Sequence, residues 1–256
     1  MQKRGEKRGQ VTLFIIIAIL VIGMVALIYF LIPKAETGSV FNPENPNSFI
    51  QNCLEDEVDS VVSTLSSQGG SLEPDFYFTY NNINIEYLCY TNEPVPALCV
   101  VQQPLLKQHI ESEIENAISD EVETCFTNLQ ENYRINGYDV QLTSGVIKAE
   151  LLPKRIVVSL SDYILTATKG ETVRYDAFNV ILNNNLYELI SIVKSIIEWE
   201  ATVGGADVEN YKRLYSDLDV SKNNRDDGTR IYVLTDLNTE DKFQFASRSF
   251  VFRPGH

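Results

Sequence analysis

The run VTLFIIIAILVIGMVALIYFLI, from Val11 to Ile32, holds 22 residues and no charge. As a helix rising about 1.5 Å per residue it extends about 33 Å, enough to cross a hydrocarbon core of about 30 Å. Thr12 and Gly23 are its least apolar members, so it lacks the polar stripe of a helix lying on a protein core. It is longer than the apolar part of a secretory signal, about 7–15 residues. No small-x-small cleavage site follows, because the chain continues Pro33-Lys34-Ala35-Glu36. A transmembrane helix is therefore expected over residues 11–32.

The flanks orient it. Lys3, Arg4, Lys7 and Arg8 against Glu6 make residues 1–10 a basic segment of +3, which leaves −17 on the rest of a chain whose net charge is −14. Basic residues stay on the cytoplasmic side, so residues 1–10 are expected there and residues 33–256 outside the cytoplasm, in the cell-surface position. Tyr29 sits near the outer end, where an amphipathic ring suits the interface. The acidic remainder excludes nucleic acid as a partner, since such binding needs a basic surface. It reads as a solvated surface, with salt adaptation or cation binding as the sharper alternative. A hydrophobic fraction of 44% gives the outer part enough apolar residues for a core.

Residues 33–47, with Pro33, Gly38, Pro43 and Pro46, read as a linker, and residues 48–256 as an α+β domain, divisible into subdomains 48–136 and 137–256. Helical periodicity runs from Ser48, with Asn47 or Ser48 as cap, to Gln68, where Gly69-Gly70 ends it. Asp75–Tyr80 and Ile83–Cys89 around Asn81-Asn82 predict a β-hairpin. One long helix is expected from Pro104 to about Tyr133, then an antiparallel meander over residues 138–182. Leu186 to about Thr202 forms a further helix, with Trp199 assigned to its apolar face, and Val208–Leu218 a short helix or turn. A last hairpin is expected from Arg230–Thr235 and Lys242–Ser247. Amphipathic helices packed on antiparallel strands make the class α+β.

Four cysteines, Cys53, Cys89, Cys99 and Cys125, allow three pairings in a compartment that permits disulfides. Cys53 and Cys125 lie on the apolar faces of two helices, which favours bridging them and leaves Cys89–Cys99 to close the loop of Pro94 and Pro96. Zinc is disfavoured, since no C-x₂₋₄-C spacing occurs and the chain has 2 histidines; buried free thiols are the plainer alternative.

No metal or other cofactor is expected, and no catalytic residue is assigned. His109 reads as a partly buried histidine on the second helix, and His256 is the terminal residue. No G-x-S-x-G, Walker A or dinucleotide fingerprint occurs. Ser67–Ser71 reads as a helix end and turn rather than a phosphate loop. The carboxylates Glu55, Asp56, Glu57 and Asp59, and the pair Glu111/Glu115, read as solvated faces rather than cation sites. Asp217, Asp219 and Ser221 begin like a calcium loop, but Lys222 stands where that loop needs Gly, and Gly228 where it needs an acid.

Two resemblances bear on function. Lys7-Arg8-Gly9-Gln10 directly before the apolar run resembles the class III signal of archaeal type IV pilins, which implies cleavage between Gly9 and Gln10 and a helix that packs in a filament. The fifth mature residue, often Glu in pilins, is Phe14 here. The layout as a whole resembles a family of membrane-anchored surface proteins of small archaea, through Lys7–Leu20, Phe49–Leu54 ending at Gln68-Gly69-Gly70, and Phe243–Ala246. That family brings no established activity. The expectation is a structural, pilin-like surface protein without enzymatic activity, partnered by the membrane and by its own copies through the transmembrane helix. The alternative is an uncleaved anchor carrying a binding, adhesion or assembly head for another surface protein.

Overall fold

Residues 41–93 and 97–249 are described by a computed structural model of the chain. The expected transmembrane helix at 11–32, the processing site Gly9-Gln10, Pro94, Pro96 and His256 lie outside the described residues. No helix among the described residues is long and apolar enough to cross a membrane.

Phe41 already belongs to the fold, although it lies within the segment expected to be linker. The Phe41 ring meets Tyr133 edge-on at 4.8 Å, and the Pro43 carbonyl accepts hydrogen bonds from the Tyr133 and Tyr175 hydroxyls at 2.6 and 2.8 Å. Helix α1 follows as Pro46–Gln68. Pro46 occupies the first turn, where its missing N–H has no helical partner to lose, and Asn45 caps by accepting from the Ser48 N–H at 3.3 Å. The cap is thus Asn45 rather than Asn47 or Ser48. Asn47 is used elsewhere: its Oδ1 accepts the Asn179 N–H at 2.8 Å.

Strands β1 (Tyr77–Tyr80) and β2 (Ile83–Tyr90) form the expected hairpin, and Asn81 and Asn82 take the positive φ angles, 50° and 63°, that a two-residue turn demands. The short strand β3 (Val100–Val101) pairs with β2. The long helix expected from Pro104 is two, α2 (Leu106–Ala117) and α3 (Ser119–Ile135). Ser119 Oγ donates to the Asn116 carbonyl at 3.0 Å, a side-chain bond back onto the preceding turn of the kind that bends helices. Ile114, Ile118 and Val122 stay buried through the break, so the apolar stripe is continuous although the backbone is not.

The expected meander is two three-stranded antiparallel sheets. β4 (Asp139–Thr143), β7 (Ile164–Lys169) and β8 (Glu171–Tyr175) form one, in the order β4-β7-β8. β5 (Val146–Leu152), β6 (Arg155–Ser161) and β9 (Phe178–Asn183) form the other, in the order β5-β6-β9. Gly145 allows the β5–β6 hairpin to leave β4, because a Cβ there would lie 2.0 Å from the Ser161 carbonyl oxygen. Helices α4 (Leu186–Val203) and α5 (Val208–Leu214) lead to β10 (Leu218–Asn224), β11 (Thr229–Asp236) and β12 (Lys242–Arg248). These last strands join the first hairpin in the order β1-β2-β12-β11-β10, with β12 parallel to β2 and the other pairs antiparallel. A sheet shared by β2 and β12 leaves no boundary at residues 136/137; the described residues form one unit. The class is α+β.

Helices α1 and α4 each pack on both the six-stranded sheet and the β5-β6-β9 sheet, and their apolar faces make one core with them. The smaller sheet has both edges covered. On β9, Gln51 of α1 works as a surrogate strand: its Oε1 accepts the Ile181 N–H at 2.8 Å and its Nε2 donates to the Ile181 carbonyl at 3.0 Å. On β5, Glu111 and Glu115 of α2 accept the N–H groups of Leu151 and Ala149 at 2.8 and 2.9 Å. Edge N–H groups that would otherwise invite another strand are thereby occupied. Glu111 and Glu115 are therefore docking groups, a correction to the solvated face expected for them, whereas Glu55, Asp56, Glu57 and Asp59 on α1 are exposed as expected.

Candidate functional site

The two disulfides brace the part of the fold around α1. Cys53 bridges to Cys125 of α3 with Cα atoms 6.0 Å apart, and Cys89 at the end of β2 bridges to Cys99 beside β3 at 5.3 Å. Glu121 comes close to the first bridge, but both sulfurs there are already bonded to each other, so that cluster offers no thiolate to a metal. Asp217, Asp219 and Ser221 do not curl into a loop: Leu218–Asn224 is an extended strand paired with β11, which ends the comparison with a calcium site.

His109 enters a small polar cluster. Helix α1 stops at Gly69 and Gly70, whose φ angles of 89° and 109° bring the chain round against Glu86 of β2, and a Cβ at Gly69 would meet Glu86 Cβ at 3.0 Å. Ser71 then donates to Glu86 Oε2 at 2.6 Å and meets His109 Nε2 at 2.7 Å, while Leu72 N–H donates to Glu113 at 3.0 Å. With the Ser71 proton committed to the carboxylate, the ring N–H of His109 is the donor to Ser71. This is the reverse of an activated serine, whose hydroxyl gives its proton to the imidazole. Burial pushes the Glu86 carboxyl above its usual range, against the opposing pull of Ser71, Gln103 and His109. Ser71 and Glu86 are both buried. The cluster secures the turn after α1 and presents no accessible nucleophile.

A second buried polar group lies at the end of α4. Glu200 sits where the apolar stripe would continue, fully buried, with Arg230 Nη1 at 2.5 Å and the Tyr232 hydroxyl as a second donor. Arg230 also donates to the Gly204 carbonyl that ends the helix. Burial and the adjoining Glu200 carboxylate raise the Tyr232 phenol well above its ordinary value. Every partner is internal, so this network closes the helix end onto the sheet.

The surface feature that fits a ligand lies on the outer flank of α4. With Glu200 turned inward, Trp199 and Val203 are turned out, 51% and 53% exposed, so Trp199 is not a core residue as its place in the sequence pattern suggested. Helix α5 rests on β10, is tied to α4 by the Tyr211 hydroxyl and Ser195 Oγ 2.8 Å apart, and presents Leu214 and Tyr215 at its end. Two adjoining hollows of about 500 and 520 Å³ run along this seam and share Leu214 and Tyr215. Tyr187 and Ile192 line the first, Trp199 and Val203 the second. Burial raises the Tyr211 phenol at the floor of the second hollow.

The polar lining of the groove is acidic. Glu188, Asp217 and Asp236 border the first hollow and Asp207 the second, and no lysine or arginine lines either. None of the four carboxylates joins an ion pair among the described residues. Burial pushes the Asp236 carboxyl up, but hydrogen bonds from the Asn238 and Thr239 N–H groups and the Asn185 side chain outweigh it and hold the group below its usual value, hence charged. Lys212 on α5 is paired with Glu209 and Asp219 at 3.5 and 3.3 Å, and Lys154 borders an adjoining hollow that Glu188, Asp217 and Asp236 also line.

No family model, curated protein or solved structure matches this chain. The groove therefore stands on its geometry alone. The pattern that could have revealed it is a Trp–Val pair at i, i+4 on the polar side of α4, with a glutamate in the apolar stripe beside them.

Proposed function

We propose that the chain is a single-pass membrane-anchored protein whose residues 33–256 face outside the cytoplasm and act as a binding head. The observation that carries this reading is the groove between α4 and α5, where the exposed side chains Trp199, Val203, Leu214 and Tyr215 line adjoining hollows. Apolar surface of that kind marks an interaction site in a soluble domain. The uncharged run at 11–32 with its basic flank supports the anchor and its direction, and two disulfides accord with an oxidising compartment.

The test places a photo-crosslinking side chain at Leu214, in the groove, or at Ile135, outside it; both positions are 75% exposed. In native envelopes the Leu214 probe yields discrete adducts and the Ile135 probe does not. Equal labelling from both positions contradicts the reading.

Lys7-Arg8-Gly9-Gln10 favours a second reading, a pilin-like subunit processed after Gly9 and assembled through its apolar helix. A mature chain beginning at Gln10, together with filaments that contain it, would establish that reading. A chain retaining residues 1–9 removes it.

A further inference from the structure

We propose that the α4–α5 groove binds an extended, arginine-bearing peptide segment of a partner protein, with apolar side chains as its anchors; this rests on the groove being the head's binding face. Length is the first argument. From Glu188 to Val203 the groove follows α4 over 16 residues, a rise of about 22 Å at about 1.5 Å per step. An extended peptide of about seven residues at about 3.3 Å each matches that span.

Charge is the second. The channel is bordered by Glu188, Asp217 and Asp236 at one end and Asp207 at the other, all without an ion-pair partner among the described residues. Glu188, Asp236 and Asp207 accept hydrogen bonds from the Lys154 N–H, the Asn185 side chain and the Glu209 N–H, none of which neutralises a charge, so a cationic segment is attracted and an acidic one repelled. Like charge disfavours a second copy of the head, which brings its own acidic groove and a charge of −17 beyond residue 10.

The third is the ring chemistry between the acids. Trp199 and Tyr215 each expose about half their surface at 51% and 49%. An aromatic face beside carboxylates attracts a guanidinium, which can stack on the ring while its N–H groups reach an acid. Leu214 and Val203 alongside suit aliphatic anchors between the cations.

Trp199 is the only tryptophan in the chain, so its fluorescence reports occupancy without a label. The full chain in non-ionic detergent is titrated with a tryptophan-free heptapeptide of alternating arginine and leucine, with an alternating glutamate–leucine peptide as control. A saturable shift of the Trp199 emission is expected with the basic peptide only. Raising the salt from about 50 to about 300 mM weakens that binding about tenfold. Tyr215→Ala and Asp217→Asn each weaken it about fivefold or more, and Ile135→Ala leaves it unchanged.

Equal binding of the two peptides, or binding unaffected by Tyr215→Ala, overturns the proposal. So does a shift produced by uncharged oligosaccharides, or one that grows with protein concentration alone and reports self-association. If the peptide fails while the Leu214 probe still gives specific adducts in envelopes, the groove binds other chemistry and the binding-head reading stands. If both fail, that reading falls with it.

Discussion

Glu86 shows how one side chain records a conflict between packing and charge. It lies under the Gly69-Gly70 turn because only glycine leaves room there, and it is held by Ser71 and Gln103 at 2.6 and 3.4 Å. Burial raises its pKa, so folding favours the protonated acid. The resulting contribution is fully present below the ordinary glutamate range and is lost as pH rises through the raised value. Glu86→Gln removes that titration. The stability of Glu86→Gln minus that of the parent is expected to be flat below about pH 4 and to grow in the variant's favour as the pH rises towards neutrality. Urea denaturation at several pH values measures it; a difference that shrinks as the pH rises contradicts the assignment. Glu200 carries a different balance, with Arg230 and Tyr232 both donating to it inside the fold. Removing one partner of such a pair leaves an uncompensated buried charge, at a cost of about 3–5 kcal/mol.

Among the elements, helices α1 and α4 and the first hairpin were legible because their signals are local, whereas the break between α2 and α3 was hidden by an unbroken apolar stripe. Periodic apolar residues run from Phe49 to Leu65, and Asn81-Asn82 accepts the positive φ values of a tight turn. Strand β10 was not legible: its only strongly apolar residues are Leu218 and Val220, and the polar LDVSKNN segment becomes a strand through pairing with β11. The division of residues 139–183 into two sheets was hidden for a related reason. β4 skips the β5–β6 hairpin to reach β7, and strand alternation does not encode partner choice. Edge protection was hidden too, because Gln51, Glu111 and Glu115 look like ordinary polar positions on their helices until the strands arrive beside them. Gln51→Ala, which leaves the Ile181 N–H to water, is expected to cost about 0.5–1.5 kcal/mol. Denaturant unfolding of the variant checks it, and an unchanged midpoint contradicts a role for Gln51 at the β9 edge.

For the whole molecule, the core draws on residues from Phe49 to Phe245, so the ends of the described chain depend on each other. The Cys53–Cys125 bridge spans 72 residues and ties α1 to α3 across that core. In the chain-entropy account a loop of that size stabilises by about 4 kcal/mol, against about 3 kcal/mol for the bridge spanning 10 residues between Cys89 and Cys99. The double replacement Cys53→Ala/Cys125→Ala is expected to lower stability more than Cys89→Ala/Cys99→Ala. Parallel thermal melts compare them, and the opposite order counts against this account. The sequence offered only the Trp199–Val203 pair as a sign of the groove, because Trp199 and Tyr215 line it together only once α5 is placed beside α4.

A head held outside the cytoplasm by a single anchor, as proposed, offers its lysines to the outside medium and shields those of residues 1–10. Labelling intact cells with a membrane-impermeant amine reagent and mapping the modified lysines by mass spectrometry tests this. The account predicts modification of Lys154, Lys169 and Lys194, all exposed on the head, and none at Lys3 or Lys7 until the membrane is opened. Head lysines that stay unmodified until lysis would contradict it.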